Sequence, residues 1–228
     1  MTSPTVIAID GPSASGKSST AAAVAAKLGM THVDTGALYR ALTWLALEGE
    51  LEDAATIVEA ADARSLHLTP RDQRLIVVAG EDEDDIDEQI RSERVTAGVS
   101  AVAALPEIRA WVNRRLRVAV RATGWAVLDG RDIGTVVFPD AALKVFLTAS
   151  PEARARRRLA QRGGTPTPDQ VRHEAELLAA RDRLDAARAE APLRQAADAV
   201  LLDTTELTFD DQVARIVDLA RDRGLPLS

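Results

Sequence analysis

Apolar residues in this chain gather into short runs separated by stretches with helical spacing. Thr5 to Asp10 reads Thr-Val-Ile-Ala-Ile-Asp, a β-branched apolar run that predicts a buried strand. Ser18 to Leu28 reads as a helix ended by Gly29. Thr31 to Asp34 predicts a short strand, and Thr35-Gly36 opens a helix with Leu38, Ala41, Leu42 and Leu45 on one apolar face. Trp125 to Asp129, Leu143 to Thr148 and Ala199 to Asp203 predict three further buried strands, and Phe209 to Arg223 a closing helix. Strands that alternate with helices predict an α/β fold, a five-stranded parallel sheet sandwiched by helices.

Residues 51–104 break that rhythm. Asp53 to Ala63 reads as helix, and Ser65 to Thr69 and Arg74 to Val78 as two short strands joined by a turn over Pro70 to Gln73. A hairpin inside an α/β pattern predicts a small β-containing inserted subdomain at 51–104, with residues 1–50 and 105–228 forming the core domain. Ser92 to Ala104 and Pro106 to Thr123 predict two helices broken at Pro106, which suits a first helical position. Farther on, Pro151 to Arg162 predicts a helix, Gly163-Gly164-Thr165-Pro166 a flexible break, and Thr167 an N-cap with Pro168 behind it and Gln170 as capping-box partner.

The chemistry begins directly after the first strand. Gly11-Pro12-Ser13-Ala14-Ser15-Gly16-Lys17-Ser18 is a glycine, four residues, then Gly-Lys-Ser, the Walker A or P-loop pattern, with strand before and helix after. The glycines let successive N–H groups turn toward a phosphate, and the helix N-terminus adds its positive end. Lys17 is suited to the β- and γ-phosphates and the Ser18 hydroxyl to Mg²⁺. The chain has 25 arginines and three lysines, Lys17, Lys27 and Lys144. A lysine at the one place that needs a slim point charge points to chemical constraint, because the arginine fork does not substitute there. The alternative, a turn that binds nothing, is disfavoured by strand, spacing and helix together. Asp129 ends an apolar strand in the Walker B manner and is a second candidate for Mg²⁺, through water.

Two arginine-rich helices follow. Arg154, Arg157 and Arg158 share a face of the first, which also carries Arg156 and Arg162, and Arg181, Asp185 and Arg188 form a stripe on the second. One reading is a surface ladder of ion pairs; the other is a short Arg-rich lid, about residues 154–190, that closes over polyphosphate and excludes water. Tyr39 and Arg40 fall outside the apolar stripe of their helix, where they are either a solvent-exposed pair or a pocket wall and an anion clamp.

The net charge of −7 comes entirely from residues 81–90, which carry seven acids and no base. The run reads as a solvated acidic loop, since it lacks the glycine and glutamate of a calcium loop. Without a broadly basic surface, nucleic acid is not an expected partner. No run approaches the length of a membrane span, no signal peptide is visible, there are no cysteines, and His32, His67 and His173 are scattered. The expected compartment is the cytoplasm.

Gly11 to Ser19, Asp34-Thr35-Gly36-Ala37-Leu38-Tyr39-Arg40, the run Asp129 to Pro139, and Arg181, Asp185 and Arg188 with Ala191-Pro192-Leu193 together resemble the bacterial cytidylate (CMP) kinases, P-loop kinases of nucleoside monophosphates. The resemblance spans nearly the whole chain and includes the β-rich insert, which it casts as an NMP-binding subdomain. It implies transfer of phosphate from ATP to CMP or dCMP with Mg²⁺. Gly11, Pro12, Ser13, Ala14, Ser15, Gly16, Lys17, Ser18 and Ser19 would bind ATP, with Arg157 and Arg158 from the lid. Ser100, Arg109 and Asp132 match cytosine-reading positions, Arg40, Arg131 and Arg188 the monophosphate clamps, and Arg181 and Asp185 the sugar contacts. Thr35 and Tyr39 would line the acceptor site, and Thr35 stands where some members have serine, another hydroxyl. Lys17, Arg131 and Arg188 would be catalytic. The expected partners are these small molecules alone, bound by a monomer. Another acceptor such as UMP or a non-nucleotide, and a nucleotide-dependent regulatory switch, remain alternatives at this stage.

Overall fold

The computed structural model describes residues 4–80, 82–163 and 165–225. Its elements run β1 (Thr5–Asp10), α1 (Lys17–Leu28), β2 (Thr31–Asp34), α2 (Thr35–Glu48), α3 (Ala54–Ala63), β3 (His67–Arg71), β4 (Arg74–Ala79), β5 (Asp84–Asp85), α4 (Asp87–Ile90), α5 (Glu93–Val102) and α6 (Pro106–Thr123). Then come β6 (Trp125–Gly130), a π-helical turn (Ile133–Val137), β7 (Leu143–Thr148), α7 (Pro151–Gln161), α8 (Pro168–Ala186), β8 (Val200–Asp203) and α9 (Phe209–Asp222). They fall into two compact units, one holding Thr31–Ala126 and the other Val6–Met30 with the chain from Val127 onward.

The second unit carries strands in the order β6-β1-β7-β8. β1 and β7 run parallel with Ile9 opposite Val145, and β7 and β8 run parallel with Val145 opposite Val200. Strands buried on both faces need apolar residues at every position, which is why these runs do not alternate. Ile7, Ile9, Val127, Leu143, Val145 and Leu147 form the core with Val24 and Leu28 of α1 and Val213, Ile216 and Val217 of α9. α7 and α8 pack on each other through Ala155, Val171 and Leu178, with Ala14 of the phosphate loop against the same cluster. The capping box at the start of α8 forms as expected, Thr167 and Gln170 each accepting from the other's backbone N–H. Of the expected Gly-Gly break, Gly164 lies outside the described residues.

In the first unit the order is β3-β4-β2, with β4 parallel to β2 and antiparallel to β3. The hairpin therefore extends the sheet beside β2. Its turn is shorter than expected, two residues, Asp72 and Gln73, with Asp72 at φ 54°. Pro70 stays in the strand because β3 is an edge, where a missing N–H costs no ladder bond on the open side. The stretch 51–104 shares this unit with α2 and α6. α2 packs against α3, α5 and α6, which cover its apolar stripe. Gly98 permits the α2–α5 approach: a Cβ there would stand 3.2 Å from Cγ2 of Thr43.

The acidic run is also more ordered than a loop. Asp84–Asp85 pairs with β4, and Asp87–Ile90 makes a helical turn, because Ile86 and Ile90 are buried and anchor it. Glu81 lies outside the described residues.

Candidate functional site

β1 and β6 are neighbours in the sheet, and Ser18, beyond β1, hydrogen-bonds Asp129 at the end of β6, so the chain after Asp10 and the end of β6 come together. Gly11 has φ 152°, and a Cβ on it would lie 2.0 Å from the carbonyl oxygen of Leu147. Gly16, at φ 89°, caps α1. Only glycine tolerates both demands at position 11. Gly11→Ala is accordingly expected to cost about 1–3 kcal/mol in urea unfolding. An unchanged midpoint would mean that the loop can move off Leu147 freely.

Lys17 is buried at the start of α1 and folds back to donate to the Pro12 carbonyl (2.6 Å) and the Ser15 hydroxyl (3.3 Å). Burial, and after it the positive charge of Arg131, holds its ammonium well below the usual lysine range. Ser18 donates its hydroxyl proton to the Asp129 carboxylate. Two hard oxygen donors thus sit side by side at the helix start, a set suited to Mg²⁺. Thr20 returns its hydroxyl to Gly16 O (2.8 Å) and accepts from Gln212 of α9 (2.7 Å), which ties the loop's end to the core.

Arginines converge on the same loop. Arg131 donates through Nε to Asp185 (3.1 Å) and through Nη2 to the Ser13 hydroxyl (3.2 Å). Asp185 is 2 % exposed, and its other oxygen accepts from Arg188 at 2.5 Å. One carboxylate therefore holds two guanidinium groups, so Asp185 is no rung of a surface ladder. α8 ends at Ala186, and Arg188 lies just beyond it rather than on the helix. Arg181 sits on α8 itself. Arg157 grips Thr204 through its hydroxyl (3.0 Å) and carbonyl (2.5 Å), and with Arg158 it lines a cavity of about 330 Å³. Ala14, Gly16, Ser19, Leu207, Phe209 and Gln212 line the rest. The cavity joins apolar side chains to the phosphate loop, as a base with a phosphate tail requires. Asp132 is buried just after β6, at the head of the π-helical turn.

The first unit gathers its own set. Thr35 is buried as the first residue of α2. Arg40 donates to Thr96 of α5 at 2.8 Å. The guanidinium of Arg109 lies 5.5 Å from the centroid of the Tyr39 ring, and its Nη1 donates to Ala103 O (3.2 Å). Ser100 follows Thr96 by one helical turn on α5. Tyr39 and Arg40 are thus engaged within this unit and are not a free surface pair.

Asp182 and Asp10 had no clear signal in the sequence, and Arg154 was expected only as one of three lid arginines on a shared face. Arg154 is buried and donates to Asp182 (2.5 Å) and to Ser13 O (2.8 Å), and Asp182 accepts from the Ser13 N–H (2.8 Å). Asp10, the last residue of β1, accepts from two N–H groups of the π-helical turn. Asp10 ends an apolar strand just as Asp129 does, and that parallel was the available cue.

A family model described as cytidylate kinase matches residues 7–222. A cytidylate kinase of Streptomyces griseus is 46% identical over 226 residues, covering 96% of this chain and 93% of its own. That of Geobacillus thermodenitrificans is 44% identical, covering 95% of this chain and 96% of its own. The Chlorobaculum tepidum cytidylate kinase is 43% identical over 95% of this chain and 92% of its own.

Proposed function

The chain belongs to the cytidylate kinase family, and we infer that it transfers the γ-phosphate of ATP to CMP, and to dCMP, giving ADP and CDP or dCDP. The observation that carries this reading is the pair Arg131 and Arg188, held by Asp185, with Arg131 hydrogen-bonded to the phosphate loop at Ser13. A phosphate loop alone fits any nucleotide hydrolase. Two guanidinium groups beside it, on one buried carboxylate, suit a second, phosphorylated substrate.

On this reading Gly11 to Ser19 cradle the ATP phosphates, and the cavity beside Arg157 and Arg158 takes the adenosine. Arg40, Arg131 and Arg188 bind the CMP phosphate. Ser100, Arg109 and Asp132 contact cytosine, and Thr35 and Tyr39 line the acceptor site. Arg181 and Asp185 contact the sugar; each Asp185 oxygen keeps a lone pair beyond its arginine bond and can accept from a hydroxyl. The residues 51–104 act as the NMP-binding subdomain, and α7 with α8 as the lid. An oxygen of the CMP phosphate attacks the γ-phosphorus in line. The new O–P bond forms as the bond to the β-phosphate oxygen breaks, and ADP leaves with that electron pair. The attacking oxygen is already anionic, so no side chain need remove a proton. Lys17, Arg131 and Arg188 supply positive charge where the transferring group needs it. Ser18 would hold Mg²⁺, with Asp129 assisting through water, and the ion would supply charge neutralisation at the phosphates.

Among the described residues no single helix is long and apolar enough to cross a membrane. A cytoplasmic monomer that binds only small molecules completes the reading.

The direct test measures ADP formation with CMP, dCMP and UMP at equal concentration. CMP is expected to exceed UMP by about 10²-fold or more in kcat/KM, because a buried carboxylate paired with the cytosine amino group is left facing a carbonyl in uracil. Preference for UMP would overturn the assignment of Asp132. ADP formation that ignores every added acceptor would leave only a nucleotide-dependent switch.

A further inference from the structure

Asp10 is 5 % exposed and lies outside every role assigned above. Its two oxygens accept separately, Oδ1 from the N–H of Ile133 and Oδ2 from the N–H of Gly134, both at 2.8 Å. These are the first two residues of the π-helical turn, directly after Asp132. We propose that Asp10 is a positioning residue for cytosine recognition: its carboxylate pins the turn that begins at Ile133 and so fixes where Asp132 and Arg131 stand. The proposal rests on the reading of Asp132 as the residue that contacts cytosine.

Three observations support it. A buried anion is a costly way to close a turn, and a carboxylate gives each of two adjacent N–H groups an oxygen of its own, whereas the amide of asparagine puts an NH₂ donor in place of one of them. The turn is also packed tightly where Asp10 meets it. A Cβ on Gly134 would stand 3.1 Å from Cδ of Lys144 and 3.4 Å from Oδ2 of Asp10, so the turn lies close against both the β7 lysine stem and the β1 acid, with no room for a side chain. Finally, the turn is π-helical, a conformation that persists chiefly where function needs it.

The charge on Asp10 is held against resistance. Burial pushes its carboxyl up to about 6, against the pull of the two N–H groups; Asp132 raises it further and Lys17 lowers it. Those two are the titratable groups facing it, while the Lys144 ammonium is turned to Asp198 at 2.9 Å. Since its folded-state value lies above the usual 3.8, the folded protein holds the extra proton between 3.8 and about 6. The contribution of Asp10 to stability therefore falls as pH rises through that window, and ionised Asp10 burdens the fold at neutral pH. A residue kept for stability alone would not behave so.

The test is Asp10→Asn in the full chain. At neutral pH we expect kcat/KM for CMP to fall by about 10²-fold, with ATP affinity held and the melting temperature no lower than that of the parent. The second readout is the ratio of kcat/KM for CMP to that for UMP, in which titration of the substrate phosphate cancels. In the parent this ratio should drop as pH falls below about 6, where protonation gives one oxygen a hydroxyl that opposes an N–H. In Asp10→Asn it should be low and flat with pH. A pH-dependent ratio that survives in the variant would assign the titration elsewhere and overturn the proposal, as would full CMP turnover. Parallel loss of ATP affinity and melting temperature would reduce Asp10 to a structural residue. If the variant does not fold, a parent ratio that is flat across about pH 5 to 8 defeats the proposal by itself. Absence of CMP turnover in the parent would defeat the kinase reading instead.

Discussion

Replacing Lys17 with methionine is expected to lower kcat by about 10³-fold or more, with a melting temperature at pH 7 no lower than that of the parent. The two halves of this result have one origin. Lys17 is buried and close to the charge of Arg131, so its ammonium is disfavoured in the free protein. Its pKa is depressed in the folded state, so the unfolded chain binds more protons and the cost of the charge is largest at low pH. Methionine has a similar reach and no charge, so the substitution removes that cost. The same charge becomes an asset when a polyphosphate enters, because the anion answers Lys17 and the arginines together. In the free protein Lys17 rests on Pro12 O and the Ser15 hydroxyl, contacts within its own loop that a phosphate oxygen can replace. Lys17→Arg is the companion variant. It keeps the charge, but its broad fork does not fit a channel built for an ammonium, so it should recover little of the lost rate. Single-turnover phosphate transfer and thermal unfolding check both halves. Near-normal turnover in Lys17→Met would mean that the loop does not handle the transferring phosphate.

How far the sequence foretold this site depends on how local each feature is. The phosphate loop was legible because its demands act within eight consecutive residues, Gly11 to Ser18, between a strand and a helix. Ser18 and Asp129 were separately visible as strand and loop signals, and the fold joined them by a hydrogen bond. The helical cap at Thr167 obeyed the same local logic. Asp182 and Asp10 were not legible, and neither was the partner of Arg154. Each is partnered across a long sequence separation, 28 residues for Arg154 with Asp182 and 123 for Asp10 with Ile133, and no periodicity encodes such a pair. Helical spacing set Arg154, Arg157 and Arg158 on one face, apart from Arg156, but it did not show that Arg154 alone of the three is buried. The hairpin was foreseen as an insert because it interrupts the α/β alternation; that β4 would lie parallel to β2, with Leu75 beside Val33, is a tertiary fact.

Asp132→Ala should cost about 10³-fold or more in kcat/KM for CMP, leave ATP affinity within a few-fold, and bring the CMP and UMP efficiencies close together. Asp132 is 4 % exposed, so its carboxylate is already largely stripped of water before any base arrives. An amino group on cytosine can donate to it, and a carbonyl on uracil meets its lone pairs head-on. Discrimination of this kind arises from the penalty on the wrong substrate more than from the gain on the right one. Alanine removes both, so CMP should lose most and UMP should lose least or gain. Asp129, by contrast, is bonded to Ser18 and is assigned to the ATP side on the proposed reading; Asp129→Ala should weaken use of ATP without favouring either pyrimidine. On that reading the two aspartates, three residues apart, separate the two substrates. Initial rates for CMP and UMP with each variant decide the matter. If Asp132→Ala kept the parent's CMP preference, the pyrimidine would have to be read elsewhere, and Arg109 with Ser100 would be the residues left to read it.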